Sequence, residues 1–546
     1  MSSTSIFYKF AYFVLFVVFL LQSIFYPNFI LSEEHHYLEV ASNLFYHSHK
    51  WMLEDSMGVY LSKPPLLFWM LTGLWKIFGA HNWVIHFLLM SILAGIFFCS
   101  QYLYRILFND AEQAQLVPVI ILGSFLFFSR STVFCFDSLV VLFFVLSAIG
   151  IVWALKHKYM QGFVLYGFSI GLGVLAKGPI ILVFCLPFFV VATFLRHEYS
   201  VQDRAWFLGF FLSILIVLVL VMMWLIPMLH QLSSVRQHML LWHRGFGVGD
   251  TYGHVPFYFY IKTCLLLFLP WLLWPYGVRS LVYSVKKNRD VGFKLVFYSL
   301  LLSLVVLSII PPKALRYVMS SMVLFALLYV YALYQNKAVF YNGTRGALIV
   351  LTSIGVAVGM ITLFFPQWVM AKINYPAITY FWVLMFESVI VVAGIVLICF
   401  KKRTFQFEAM RLCGFTCMLV MCAFVLPHEV MSKNFDYVSF VTFLNDAKNK
   451  NISIVYCRAY GGYQYSMTTP LLPQEKYKLT KKEGAQSNFV YFVEVVKKTE
   501  PAQKNYLYRL LYPSQTGAIF VRKMLASEFV GLSFKQQRCL VNIKQL

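Results

Sequence analysis

PPLLFWMLTGLWKIFG, residues 64–79, decides the topology of this 546-residue chain. Two prolines open it, and the apolar stretch behind them falls short of the ~20 residues that cross a bilayer. Trp69, Trp75 and Lys76 suit the membrane–water interface. The segment therefore reads as a helix lying on the membrane. Around it, long apolar segments fall near residues 8–26, 83–104, 115–129, 134–155, 161–176, 178–195, 205–228, 257–278, 291–311, 315–335, 346–366, 377–400 and 409–427, thirteen in all. With the N-terminus inside and 64–79 on the surface, the basic loops at Arg105, Lys156 and Lys158, Arg279 to Arg289 and Lys401 to Arg403 all face the cytoplasm. If 64–79 crossed the bilayer, all of them would face outward.

Composition agrees with a polytopic α-helical membrane protein. The chain is 60% hydrophobic and 12% charged, against about 25% charged in soluble domains. The net charge of +23 does not point to nucleic acid, because no soluble basic domain dominates. Basic residues set topology and meet anionic lipid instead. The first run, FAYFVLFVVFLLQSIFY after Lys9, is followed by no small-x-small cleavage site and reads as a retained transmembrane helix. Most of the ten cysteines lie in apolar runs; Cys457 and Cys539 do not, and outside the cytoplasm they could pair. From Pro427 the character changes. NISIVYC, NFVYFVEVV and GAIFVRK read as strands, and Gly461-Gly462 as a turn. The expected organisation is a transmembrane domain over 1–428 and a small α/β extracytoplasmic domain over 429–546.

This topology collects the polar islands on one face: residues 31–63, the loop Arg130–Asp137, Lys177, residues 229–256 and PPKALRY at 311–317. A membrane enzyme assembles a site in this way, from loops anchored by helices. In LSEEHHYLEVASNLFYHSHKW, residues 31–51, Ser32 suits an N-cap and Glu33 and Glu34 suit a first helical turn. Tyr37, Val40, Ala41, Leu44 and Phe45 then recur at helical spacing, giving an amphipathic helix along the outer leaflet. The two glutamates serve either as helix caps or as a carboxylate that accepts a proton. Asp137 before an apolar run is either an N-cap or a functional boundary acid. Lys63 and Lys177 each precede a proline that opens an apolar segment. They either snorkel to the headgroups or pair with a phosphate at the outer leaflet, as Arg316 and Tyr317 could. His35, His36, His47 and His49 lack compact zinc spacing, and His254 stands apart. No metal ligands are assigned, and a divalent metal held by distant loops is left open.

Taken in order, these islands resemble the bacterial membrane glycosyltransferases of the protein O-mannosyltransferase and aminoarabinose transferase superfamily, which have the GT-C fold. The motifs are Glu33-Glu34-x-x-Tyr37, Tyr60-x-x-Lys63-Pro64-Pro65, Asp137, Lys177-Gly178-Pro179, a His-x-Pro-Phe-Tyr stretch at His254, and Lys313-x-x-Arg316-Tyr317. The resemblance implies transfer of a sugar from a polyprenyl-phosphate carrier to lipid A or to protein hydroxyls, on the periplasmic side of the inner membrane, without a nucleotide sugar. It maps the acidic sites to Glu33 and Asp137, and Lys63 and Tyr317 to the surroundings of the carrier phosphate, with Tyr60 in the cavity wall. The first acid is commonly Asp in the family; with Glu33 here, Glu34 competes for the role. His36 stands where a basic residue is expected, and Ser62 where aminoarabinose transferases commonly have an acid.

Two other classes compete. Many helices with intramembrane charges also describe a transporter, but no repeated halves are visible and the charges cluster at one surface rather than at mid-span. A scaffold or receptor would not need so many polar sites on one face.

Overall fold

The computed structural model describes residues 32–46, 51–55, 58–60, 62–131, 134–231, 256–268, 270–287, 290–310, 313–335 and four strands between 453 and 525. The chain divides into two compact units, Met1–Pro27 with Val40–Phe424, and Asn28–Glu39 with Val425–Leu546. The expected spans at 8–26, 346–366, 377–400 and 409–427, and the Cys457–Cys539 pairing, lie outside the described residues.

The expected amphipathic helix is α1, Ser32–Tyr46, and begins at the predicted serine. A small hairpin follows, β1 (Glu54–Asp55) and β2 (Gly58–Val59), closed by Tyr60 N–H donating to Leu53 O at 2.7 Å. Asn43 of α1 donates to Glu54 O at 3.0 Å. The interfacial segment is α2, Leu66–Phe78. At ~1.5 Å per residue its 13 residues reach about 20 Å, short of a ~30 Å hydrocarbon core. Pro65 precedes it and Gly79 ends it. Trp75 is buried and packs edge-on against Phe45 of α1, with ring centroids 5.7 Å apart.

Next come α3 (Asn82–Phe108), the short α4 (Ala111–Ala114), α5 (Val117–Leu122) and α6 (Phe125–Ser131), and α7 (Asp137–Leu155) and α8 (Tyr159–Lys177). A 3-10 turn at Pro179–Ile181 leads into α9 (Leu182–Leu195), and another at Arg196–Tyr199 into α10 (Asp203–Gln231). Beyond residue 256 lie α11 (Phe259–Leu267), a 3-10 turn at Trp271–Leu273, α12 (Pro275–Lys287), α13 (Val291–Ile309), a 3-10 turn at Leu315–Val318 and α14 (Met319–Gln335). Among the described residues, seven helices are long and apolar enough to cross a membrane: Trp83–Phe108, Asp137–Leu155, Tyr159–Lys177, Pro179–Tyr199, Asp203–Gln231, Val291–Ile309 and Leu315–Gln335. Each coincides with a predicted span.

Two predicted spans are not single helices. The 115–129 run breaks at Gly123-Ser124, between α5 and α6. The 257–278 run breaks between α11 and α12, around Pro270 and Trp271. A broken helix inside a membrane protein needs partners for its backbone groups, and here the two breaks supply each other. Trp271 Nε1 donates to Ile120 O at 2.9 Å and to Ser124 Oγ at 3.0 Å. Ser124 Oγ also donates to Ile120 O, and Tyr329 of α14 donates to Trp271 O at 2.9 Å. Hydropathy registers the apolar runs but not this exchange of side-chain partners.

The bundle is built on the α7–α8 hairpin, flanked by α3, α10 and α14. The two helices meet at facing glycines: a Cβ on Gly150 would lie 2.6 Å from Gly162 O, and one on Gly162 would lie 2.5 Å from Gly150 O. Phe189 of α9 stacks on Trp206 and Phe210 of α10, at 5.6 and 4.2 Å. Charge sorts to the two ends of the helices. At one end lie Arg105, Lys156 donating to Asn109 Oδ1 at 3.3 Å, and Arg196 paired with Asp203 at 2.8 Å. Asp110 and Asp290 are plain helix caps there, each accepting a backbone N–H at 2.8 Å. The other end carries Asp137 and Lys177.

In the second unit the four strands are β3 (Ser453–Cys457), β4 (Phe489–Val496), β5 (Tyr508–Leu511) and β6 (Ala518–Leu525). They form one sheet in the order β3-β4-β6-β5. β3 pairs parallel to β4, Ser453 against Val490, while β4 and β5 each run antiparallel to β6. The three strands read from the sequence are β3, β4 and β6; β5 was not anticipated.

Candidate functional site

Asp137 opens α7, at the end of the bundle where α8 closes. α8 stops at Lys177 because Gly178 adopts φ +78° and ψ −159°, a backbone conformation that glycine takes without steric cost, and Pro179 then starts a 3-10 turn. The hairpin thus brings residues 40 positions apart into an ion pair, Lys177 Nζ to Asp137 Oδ1. Both side chains are 8% exposed. A buried pair of this kind persists only when charge is matched and hydrogen-bonded, since either charge alone would be costly away from water.

The turn Leu315–Val318 supplies the next two groups. Tyr317 lays its ring over the Lys177 ammonium, 5.0 Å from the centroid, a distance at which the ring face attracts a cation. Arg316 lies 6.0 Å from the same ring on its guanidinium carbon. Arg316 and Arg130, the latter in the last turn of α6, add to the positive field that Lys177 places on Asp137. Cys135 lies buried beside them, its thiol donating to Arg130 O at 3.8 Å. α6, α7, α11 and the 315–318 turn pack against one another here.

The Lys63 region reaches the same end. Phe68 of α2 packs edge-on against Phe136, 5.4 Å between centroids, one residue before Asp137. Tyr60 is buried with its ring 6.0 Å from Phe68. Trp69 and Leu66 pack on Leu175, Trp224 and Met228, next to the end of α8. Trp51 is tied in as well: its carbonyl accepts from Trp224 Nε1 at 3.2 Å and its ring meets Trp69 at 5.9 Å. Lys63, Pro64 and Pro65 directly precede α2, with Lys63 half-buried.

Of the predicted site residues, Asp137, Lys177, Arg316 and Tyr317 therefore converge, and Tyr60 and Lys63 flank them through Phe68 and Phe136. Tyr37 is buried on α1. Glu33 and Glu34 fall in the first turn of α1, and their side chains lie outside the described residues. So does His254. Arg130 was read as part of a polar island and not as a site residue; its signal was an arginine ending an apolar run. Among the described residues, no group of three or more His, Cys, Asp or Glu comes together to hold a metal ion.

The fold matches two crystal structures of ArnT from Cupriavidus metallidurans, one bound to undecaprenyl phosphate and one in the apo state. Each match has a TM-score of 0.70 at 14% identity and covers 95% of this chain and 98% of that one. Residues 62–224 match the family model described as dolichyl-phosphate-mannose-protein mannosyltransferase. The chain thus shares the fold of these membrane transferase structures, and its family match covers under a third of its length. The matched 62–224 stretch contains Lys63, Asp137 and Lys177. A curated relative, undecaprenyl phosphate-alpha-4-amino-4-deoxy-L-arabinose arabinosyl transferase 2 of Proteus mirabilis (strain HI4320), is 25% identical over 281 residues, 49% of each chain. The aligned part thus spans about half of that relative's length.

Proposed function

We propose that this chain is a glycosyltransferase that moves a sugar from a polyprenyl-phosphate carrier to lipid A, at the periplasmic face of the bacterial inner membrane, and that the sugar is 4-amino-4-deoxy-L-arabinose. The observation that carries the reading is the convergence of Lys177, Arg316, Arg130 and Tyr317 on Asp137 at one end of the bundle. Cationic and hydroxyl donors aimed at one place suit a phosphate. The names of the P. mirabilis relative and of the C. metallidurans complex suggest the carrier and the sugar.

In the proposed step the acceptor oxygen attacks the anomeric carbon from the face opposite the phosphate. The bond from that carbon to the carrier's phosphate oxygen breaks, its electron pair leaves with the phosphate, and the configuration inverts. Negative charge grows on the leaving phosphate, where Lys177, Arg316 and Tyr317 stabilise it; Lys63 draws the carrier in. Asp137, paired to Lys177, holds that ammonium in place. A lipid A phosphate is already anionic and needs no base. A hydroxyl acceptor does, and Glu33 or Glu34 is assigned that role. Transfer to protein hydroxyls is the second reading, favoured by the family description over 62–224. The C-terminal unit is assigned to the periplasm.

Mass spectrometry of lipid A and envelope proteins, from cells with and without the chain, separates the readings. Loss of the aminoarabinose increment from lipid A supports the first; loss of protein glycans with lipid A unchanged supports the second; no change in either removes both.

Lys63→Ala should raise the KM for the polyprenyl-phosphate donor about tenfold, the scale of one charge-assisted hydrogen bond, with the melting temperature unchanged. A titration of donor on the purified protein reads this. An unaltered KM would assign Lys63 to the headgroups alone.

A further inference from the structure

The stretch that ends in HVPFYFY contributes a residue not yet given a role. Tyr260, on the first turn of α11, is buried at 4% exposure. Its hydroxyl makes two bonds to one peptide position: it donates to Ala314 O at 3.2 Å and accepts from Ala314 N–H at 3.3 Å. Ala314 O also accepts Tyr317 N–H at 3.0 Å, the bond that closes the 3-10 turn Leu315–Val318. Ala314 itself is extended, with φ −142° and ψ 144°, so the chain enters the turn straight and bends only after this residue. One hydroxyl therefore pins both polar groups of the residue from which the Arg316–Tyr317 turn hangs. Tyr317 in turn covers Lys177, and Lys177 pairs with Asp137.

We infer that Tyr260 is a positioning residue: its two-way bond to Ala314 sets the register of the 315–318 turn and so holds Tyr317 and Arg316 over Lys177. The inference rests on the proposed phosphate-holding role of that turn for its kinetic consequence, and on the hydrogen bonds alone for its structural one. A two-residue shift of the turn would place Leu315 or Met319 where Tyr317 sits, and neither offers a ring to the ammonium. Phenylalanine at 260 keeps the buried ring, so its loss isolates the hydroxyl.

The test compares Tyr260→Phe with Tyr166→Phe in the full-length protein in nanodiscs. Tyr166 is also buried and also donates from its hydroxyl to a backbone carbonyl, Cys185 O at 3.2 Å, but it belongs to the α8–α9 packing and not to the turn. Amide exchange over residues 311–318 should speed up at least about fivefold in Tyr260→Phe, which loses both bonds to Ala314, and stay unchanged in Tyr166→Phe, a single net hydrogen bond being worth roughly that factor. Sugar transfer by Tyr260→Phe should show kcat lowered about fivefold with the donor KM within twofold, because leaving-group charge grows in the transition state. Tyr166→Phe should keep its kcat. Unchanged exchange over 311–318, or the same kcat loss in both variants, overturns the assignment. If the unmodified protein transfers no sugar, the proposed function fails, while the exchange measurement still decides whether Tyr260 holds the turn.

Discussion

Asp137→Asn should lower sugar transfer roughly a hundredfold, the cost of misplacing a reacting group by about an ångström, and should also weaken the fold. The two effects share a cause. Lys177 and Asp137 are both 8% exposed at the side chain, and the amide cannot balance the ammonium. Breaking a buried pair from one side costs about 3–5 kcal/mol, because the remaining charge stays buried. Arg316 and Arg130 add to the positive field at this point and make the vacancy worse. Lys177 then turns away from Tyr317 or draws in water, and the proposed phosphate site loses this ammonium. Adding Lys177→Met to Asp137→Asn removes the stranded charge and fits a similar volume, so the melting temperature should recover most of its loss while transfer stays low. A thermal melt and a transfer assay on the single and double variants separate stability from chemistry. Near-normal transfer by Asp137→Asn would remove the pair from the mechanism, and a double variant no more stable than the single would show that the charges do not depend on each other.

Asp137 and Lys177 were each legible in the sequence as boundary charges, because a polar residue at the lip of an apolar run stands out. Their pairing was not, since it depends on the α7–α8 hairpin closing in register over 40 residues. The same limit applies to the spans. Seven apolar runs gave seven helices at the predicted places, because length and hydropathy decide whether a helix suits a bilayer. The runs at 115–129 and 257–278 carried the same signal but broke where Trp271 and Ser124 could satisfy the freed backbone of Ile120. Such an exchange of partners is long-range and leaves only a proline, a glycine and a serine as local traces. Tyr260 was hidden for a similar reason: among 34 tyrosines, nothing local distinguishes the one whose hydroxyl meets Ala314.

Gly162→Val should prevent accumulation of folded protein, although residue 162 lies far from Asp137. The new Cβ would stand 2.5 Å from Gly150 O, 2.6 Å from Ala154 N and 3.0 Å from Ala154 Cβ. Two of these are backbone atoms, which cannot rotate aside as a side-chain tip can. Relief requires α7 and α8 to move apart, and overpacking of this kind costs about 1–3 kcal/mol even where side chains can yield. The hairpin carries its ion pair at the opposite end: Lys177 is 15 residues from Gly162, about 22 Å along the helix. Helices pried apart at one end pivot, so the Lys177–Asp137 contact is disturbed together with the core contacts of α3, α10 and α14. Gly73→Ala in α2 is the matched control, since nothing lies within 4 Å of a Cβ there and alanine is the better helix former. It should express and transfer at least as well as the unmodified chain. Fluorescence-detected size-exclusion profiles of the two variants read the difference directly. A monodisperse Gly162→Val with full transfer would mean that the glycine contact does not hold the hairpin, and that the register of Asp137 and Lys177 is set by the flanking helices instead.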